Sequence, residues 1–232
     1  MSEPETGCGR IKQLRRKIAV RIILLPVFLF LLVLLPAGTL NFWQVYLYSA
    51  VLAGPMFFVV IYFLKKDPGF LERRLKTKEK EPHQKKIVQS AAIIYMAGFI
   101  VPGLDRRFGW SDVSLFIVIL ADILVLLAYI FIFFVFRENI YASRVIEVEK
   151  EQKVISTGPY SIVRHPMYLG VIVMYLSTPV ALGSFWGIIP FSILPAALVL
   201  RILNEEKVLT GQLPGYREYC GRVRYRLVPY LW

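Results

Sequence analysis

Charge and cysteine are both scarce in this sequence. Of 232 residues, 19% are charged, 56% are hydrophobic and 14% are aromatic. Mean hydropathy is +0.56. Soluble domains carry about 25% charged residues, so a soluble globular enzyme is disfavoured. Disorder is excluded by the abundance of aromatic and branched apolar side chains. The two cysteines, Cys8 and Cys220, stand near opposite ends of the chain. With no Cys-x-x-Cys pair, neither a zinc cluster nor a disulfide framework is expected. There is no Asn-x-Ser/Thr acceptor, no internal repeat and no low-complexity tract. No glycine-rich loop follows a strand, and Gly7-Cys8-Gly9 has no such context. The soluble dinucleotide-type way of holding a nucleotide cofactor is therefore absent. What remains is a compact polytopic membrane protein.

Six apolar runs stand out, at about 18–36, 42–64, 87–101, 113–136, 167–182 and 185–203. The first follows a basic stretch but is long for a signal sequence and lacks a small-x-small cleavage site, so it reads as a retained helix. Pro102-Gly103 should close the third. Only Gly183-Ser184 separates the last two, which predicts an antiparallel hairpin; the fifth is short and holds Pro179, so a re-entrant segment is an alternative to a full span. The expected fold is all-α, with five to six transmembrane helices. Four spans fill residues 1–136, and 137–232 carries the chemistry within one integrated domain.

Net charge is +12, from 28 Lys and Arg against 16 Asp and Glu. In a soluble protein this would suggest nucleic acid; here it suggests anionic lipid, and no nucleic-acid partner is expected. Alternating the sides puts 26 of the 28 basic residues on one side and leaves Arg106 and Arg107 on the other. The positive-inside rule then makes both termini and the two long polar loops cytoplasmic. The 65–86 loop reads as a solvated connector.

Three segments after Arg137 carry chemistry. The first runs Gly158-Pro-Tyr160 … Arg164-His165-Pro166-Met167-Tyr168. Pro166 suits the first turn of a helix, so His165 should lie at a helix mouth, where free N–H groups attract anions. Arg164 adds a donor, and together they form a candidate carboxylate or phosphate cradle. The second is Arg201-x3-Glu205-Glu206. Arg201 and Glu205 share a helix face, and acid late in a membrane helix more often marks a site than a surface ion pair. The third, Leu213 to Pro229, reads as a short amphipathic helix and a basic-aromatic tail that anchors to lipid headgroups. Cys220 within it has no activating base in sequence.

These segments, from about Arg144 to Trp232, resemble the isoprenylcysteine carboxyl methyltransferase family, the integral-membrane branch that also contains phospholipid N-methyltransferases. Leu104-Asp-Arg-Arg-Phe-Gly-Trp110 resembles a segment of its prokaryotic members. The resemblance implies S-adenosylmethionine as methyl donor, held on the cytosolic side by Gln152, Lys153, Val154, Ile155, Tyr160, His165, Pro166, Met167, Tyr168 and Glu205, with Glu147 as a further contact. It implies Arg201 as the residue that touches the acceptor, which is amphiphilic or lipid-like. No metal is expected.

Methyl transfer from a sulfonium is an in-line displacement that needs alignment and exclusion of water. A carboxylate acceptor needs only orientation, for which Arg201 and Arg164 are candidates. An amine acceptor must first lose a proton, and Glu206 is then the candidate base. Two rivals stay open: an NADPH-dependent membrane sterol or steroid reductase, which shares a related C-terminal pattern, and a lipid-binding protein without activity.

Overall fold

The computed structural model describes residues 7–77 and 82–232. Residues 78–81 of the basic loop, and the side chain of Cys8, lie outside the described residues. Every regular element among the described residues is helical. Helix α1 (Gly7–Leu29) passes through a π-helical turn at Phe30–Leu34 into the short α2 (Leu35–Ala37), which stops at Gly38 with φ +66°. Helix α3 (Trp43–Lys66), α5 (Pro82–Phe108), α6 (Leu115–Glu138) and α8 (Ile188–Gln212) are the other long rods, and α4 (Pro68–Leu75) is a short one between α3 and α5. Five helical segments are long and apolar enough to cross a membrane. Helix α7 (Pro166–Ala181) has only 16 residues, about 24 Å at 1.5 Å per residue, short of the ~30 Å hydrocarbon core. A final helix, α9, covers Tyr216–Arg222.

The helices pack as an antiparallel bundle with two large apolar clusters and two smaller ones near the C-terminal segment. One, around Val33, Tyr48, Phe99, Leu182 and Phe191, lies toward the end holding the 38–42, 109–114 and 182–187 turns. The other, around Ile18, Phe63, Phe70, Ile132 and Phe136, lies toward the basic end. Both draw residues from before and after Arg137. The most extensive contact is between α6 and α7, where Gly170 faces Ile132: a Cβ there would sit 2.6 Å from Ile132 Cγ1.

Helix α5 does not end at Pro102-Gly103 but runs on to Phe108. Pro102 forfeits one backbone bond, while Gly103 lets α5 pass close to Val33, whose carbonyl oxygen would lie 2.4 Å from an added Cβ. The stop comes at Gly109, φ +65°, whose N–H donates to the Asp105 carbonyl at 2.7 Å. Asp105 is buried and clamps this end of the bundle. Its carboxylate accepts from Ser111 N–H and Oγ, each at 2.7 Å, and from Ser184 Oγ.

The 65–77 part of the expected connector is also ordered into the bundle. Asp67 caps α4 by accepting from Phe70 N–H at 3.1 Å, and Pro68 stands in its first turn. Phe70 and Leu71 are buried in the second cluster. A solvated loop has no apolar anchor; these two residues supply one.

Candidate functional site

Four pieces of chain meet at the basic end: residues 139–152, the tight turn at Gly158–Ser161, the start of α7 and the last turns of α8. They surround a partly open cleft with a cavity volume of about 90 Å³. Pro166 at the first turn fixes where α7 starts, with His165 just outside it in a non-helical conformation. Helix α8 is 25 residues long, so it carries Glu205, Glu206 and Leu209 beyond the apolar layer to the level of the α7 mouth.

Tyr168 is the hub. Its hydroxyl donates to Glu205 Oε2 at 2.7 Å and accepts from Arg201 Nε at 2.9 Å. Arg201 also donates through Nη2 to the Arg144 carbonyl. The His165 ring stacks on Tyr168 with centroids 5.8 Å apart. Across the cleft, Asn139 Nδ2 donates to the Tyr160 hydroxyl at 3.1 Å, and the Tyr160 carbonyl accepts from Tyr219 at 2.7 Å. Burial pushes the Tyr160 phenol well above its ordinary pKa; it stays a neutral hydroxyl. Gln152 is oriented by the Glu149 N–H, which donates to its Oε1 at 3.1 Å. Glu147, on the near wall, pairs with Lys76.

Of the residues expected at a cofactor site, the cleft brings together Gln152, Tyr160, His165, Met167, Tyr168, Arg201 and Glu205, with Glu147. Lys153 is exposed, Val154 packs on α9 instead, Ile155 lies outside the lining, and Pro166 serves as the opening residue of α7. Arg164 and Glu206 stand behind the wall. Glu206 Oε1 is 2.8 Å from Arg164 Nε and 3.3 Å from His165 Nε2, and Oε2 accepts from Arg226 Nε at 2.8 Å. The Arg164 side chain is only 7% exposed.

The expected anion cradle is narrower than the sequence reads. The N–H groups just before α7 are taken by the C-terminal tail: Arg164 N–H donates to the Tyr225 carbonyl at 3.0 Å and His165 N–H to the Arg226 carbonyl at 2.8 Å. The anion that Arg164 meets is Glu206 of the same chain. The tail's helix, in turn, packs inward, while Tyr230 and Leu231 beyond it are exposed. Tyr216 and Tyr219 are buried at 4% and 2% exposure, and α9 backs the site.

Sequence reasoning did not single out Asn139, Tyr141, Ala142, Ser143, Val145, Ile146 or Leu209, which also line the cleft. Two signals were present. Asn139, Tyr141 and Ser143 are polar residues in alternation directly after the fourth apolar run, and Leu209 is one helical turn beyond Glu205.

The fold and cleft define an all-α multi-pass membrane protein with a polar site where its helices leave the apolar layer. Residues 116–213 match the model of the phospholipid methyltransferase family, the integral-membrane methyltransferase family that the motifs resemble. That stretch holds α7, α8, all but the first residue of α6, and every residue that lines the cleft. A curated relative is the Delta(14)-sterol reductase of Mus musculus, 33% identical over 84 residues. The match covers 35% of this chain and 20% of the reductase, so the chain spans about a fifth of that protein's length.

Proposed function

We propose that this protein transfers a methyl group from S-adenosylmethionine to a lipid-like acceptor at the cytoplasmic face of a membrane. The observation that carries the reading is the Arg201–Tyr168–Glu205 triplet inside the cleft. Two consecutive helices, α7 and α8, supply one hydroxyl, one guanidinium and one carboxylate to the same space, within the stretch that matches the methyltransferase family.

The chemistry of the lining fits the donor. S-Adenosylmethionine supplies, when bound, a methyl group already activated by a sulfonium. Its ammonium and sulfonium suit the carboxylates of Glu205 and Glu147. The aromatic walls of Tyr160 and Tyr168 suit a cation or a base. Its carboxylate needs donors, and His165, Gln152 and Arg201 are the candidates. Tyr168 is a positioning residue. It fixes both Glu205 and Arg201, so neither long side chain must be ordered when ligand enters. Arg201 is the residue placed to aim an acceptor's anionic group.

Acceptor type divides on Glu206. Its oxygens are committed to two guanidinium groups and an imidazole. A carboxylate so engaged and set behind the wall suits a structural counter-ion better than a base. This favours an acceptor that needs no deprotonation, a carboxylate, over an amine. Reduction with NADPH is kept as a second reading because of the identity to the sterol reductase.

The test is a parallel titration of purified, detergent-solubilised protein with S-adenosylmethionine and NADPH. Saturable S-adenosylmethionine binding is expected. Tyr168→Phe and Glu205→Ala should each weaken it at least about tenfold, since each removes a hydrogen bond to a charged group worth roughly 1.5–3 kcal/mol. Binding of NADPH in place of S-adenosylmethionine would move the protein to the reductases.

A further inference from the structure

A carboxylate inside the bundle meets nothing that balances it. Asp122 lies on α6, seven residues past Leu115, which puts it about 10 Å into the helix at 1.5 Å per residue. It is 4% exposed, and neither carboxylate oxygen has a hydrogen-bond partner among the described residues. An ionisable side chain within a membrane span costs free energy and marks a site by default. Asp105, the other buried acid at this end of the bundle, shows the contrast, since its carboxylate accepts from Ser111 and Ser184. The described cations at this end, Arg106 and Arg107, are exposed in the last turn of α5, with Arg106 on the Asn41 carbonyl.

The hydroxyl groups beside Asp122 offer it lone pairs. Ala121 and Val125, on the buried face of α6 that Asp122 shares, pack in the first cluster with Tyr48 and Leu182. The Asp122 charge acts on the Tyr48 hydroxyl. Thr178 Oγ1 donates its proton to the Met174 carbonyl at 2.7 Å. In the 3.0 Å contact between Tyr48 and Thr178 the donor is therefore Tyr48. Both hydroxyl protons are committed, and the Tyr48 oxygen keeps its lone pairs. One turn back along α3, Gln44 Oε1 is a further buried acceptor without a partner. Lone pairs do not satisfy a buried carboxylate; a cation satisfies both. Neither Asp122 oxygen lies within hydrogen-bond distance of Tyr48. A cation shared by two oxygens holds them farther apart than a hydrogen bond does, so this spacing suits an ion better than a proton.

We propose that Asp122, with the Tyr48 hydroxyl oxygen, binds a small monovalent cation of the sodium type between α3, α6 and α7. One carboxylate among neutral oxygens balances one charge. No group of three or more His, Cys, Asp or Glu side chains gathers among the described residues, so a hard monovalent ion fits better than a divalent or a soft metal. The ion links α6 to the Tyr48–Thr178 pair that joins α3 to α7. Asp122 stands 16 residues along α6 from Glu138, at the edge of the cleft, a rise of about 24 Å. The site is separate from the cleft and does not rest on the methyl-transfer reading.

The probe is sodium, compared with potassium and choline as chlorides at one ionic strength, on the full chain in dodecyl maltoside. Sodium should raise the melting temperature by several degrees over choline, and saturably, because a ligand held only by the folded state stabilises it by mass action. Equilibrium dialysis with radioactive sodium should give one bound ion per chain that Asp122 accounts for. Asp122→Asn keeps the shape and removes the charge; it should abolish both signals. Tyr48→Phe should weaken sodium binding about tenfold, the loss expected for one polar contact to a charge. If Asp122→Asn fails to fold, Tyr48→Phe carries the test. Potassium acting like sodium supports the site and marks it as unselective among monovalent ions. Equal melting temperatures in sodium and choline would overturn the site and leave a proton as the group that neutralises Asp122. So would sodium binding that survives in folded Asp122→Asn or stands unchanged in folded Tyr48→Phe.

Discussion

One carboxylate in this protein answers to three partners. Glu206 is 11% exposed and meets Arg164, His165 and Arg226, which come from the α7 mouth and the C-terminal tail. Glu205, next in sequence, points the other way, into the cleft toward Tyr168. Adjacent helical residues diverge by about 100°, so one acid can serve the ligand space and the other the scaffold. The consequence is testable at Glu206. Glu206→Gln removes the charge facing two guanidinium groups, and breaking a buried pair costs about 3–5 kcal/mol because the remaining charge is left uncompensated. A drop in melting temperature of several degrees is expected, with Arg226→Gln giving a smaller drop because its side chain is more exposed, 34% against 7% for Arg164. A general base would behave differently: Glu206→Gln would keep its stability and lose turnover. Thermal unfolding and single-turnover rates on the same preparation separate the two outcomes.

Among elements, the α6–α7 contact sets where the cleft's hub stands. Gly170 lies two residues beyond Tyr168 on the same short helix, against Ile132 and Phe131 of α6. Any side chain there must move α7 or reshape Ile132. Gly170→Ala should therefore destabilise by about 1–3 kcal/mol despite alanine's better helix propensity. Ile132→Val in the same chain should restore part of the loss, the coupling expected of residues in contact. Gly54→Ala in α3, where an added methyl meets nothing within 4 Å, is the control and should be neutral or slightly stabilising. Equal effects at 54 and 170 would mean that the close approach carries no energy.

The same elements show what the sequence could and could not reveal. The helices were legible because a bilayer demands long apolar runs and nothing else produces them. Their ends were less so: Pro102-Gly103 reads as a stop in isolation, yet it is a passing place for the π-helical turn after α1, and only the distant Val33 backbone explains that. The i,i+4 spacing of Arg201 and Glu205 was visible, whereas Tyr168 as the group between them was not, since it lies 33 residues from one and 37 from the other. Helix α4 and the aromatic tail were read as connector and anchor because a basic-aromatic composition suits the headgroup layer as well as it suits a buried wall. Composition cannot decide between the two; tertiary partners do.

For the molecule as a whole, the fold collects the basic residues at one end of the bundle. In the bundle, Arg106 and Arg107 are the basic residues at the end of the 38–42, 109–114 and 182–187 turns, among the described residues. Arg106 is engaged there with the Asn41 carbonyl at 3.2 Å and the Phe42 ring. The opposite end holds the cleft, α4, α9 and the remaining described Lys and Arg. The orientation proposed from the positive-inside rule has the cleft face the cytoplasm, and a methyl-transfer site needs that side if its donor is supplied from the cytosol. With Cys8→Ser in every sample, native Cys220, partly exposed in α9 and free of any disulfide, reports on one end. A cysteine placed at Trp186, 52% exposed beside the turn between α7 and α8, reports on the other once Cys220→Ser is added. In intact cells or right-side-out vesicles, a membrane-impermeant maleimide should label the cysteine at 186 at once and Cys220 only after permeabilisation. The opposite order would put the cleft on the outer face. A donor confined to the cytosol could then not reach Glu205, so the methyl-transfer reading would fall together with the charge rule rather than survive it.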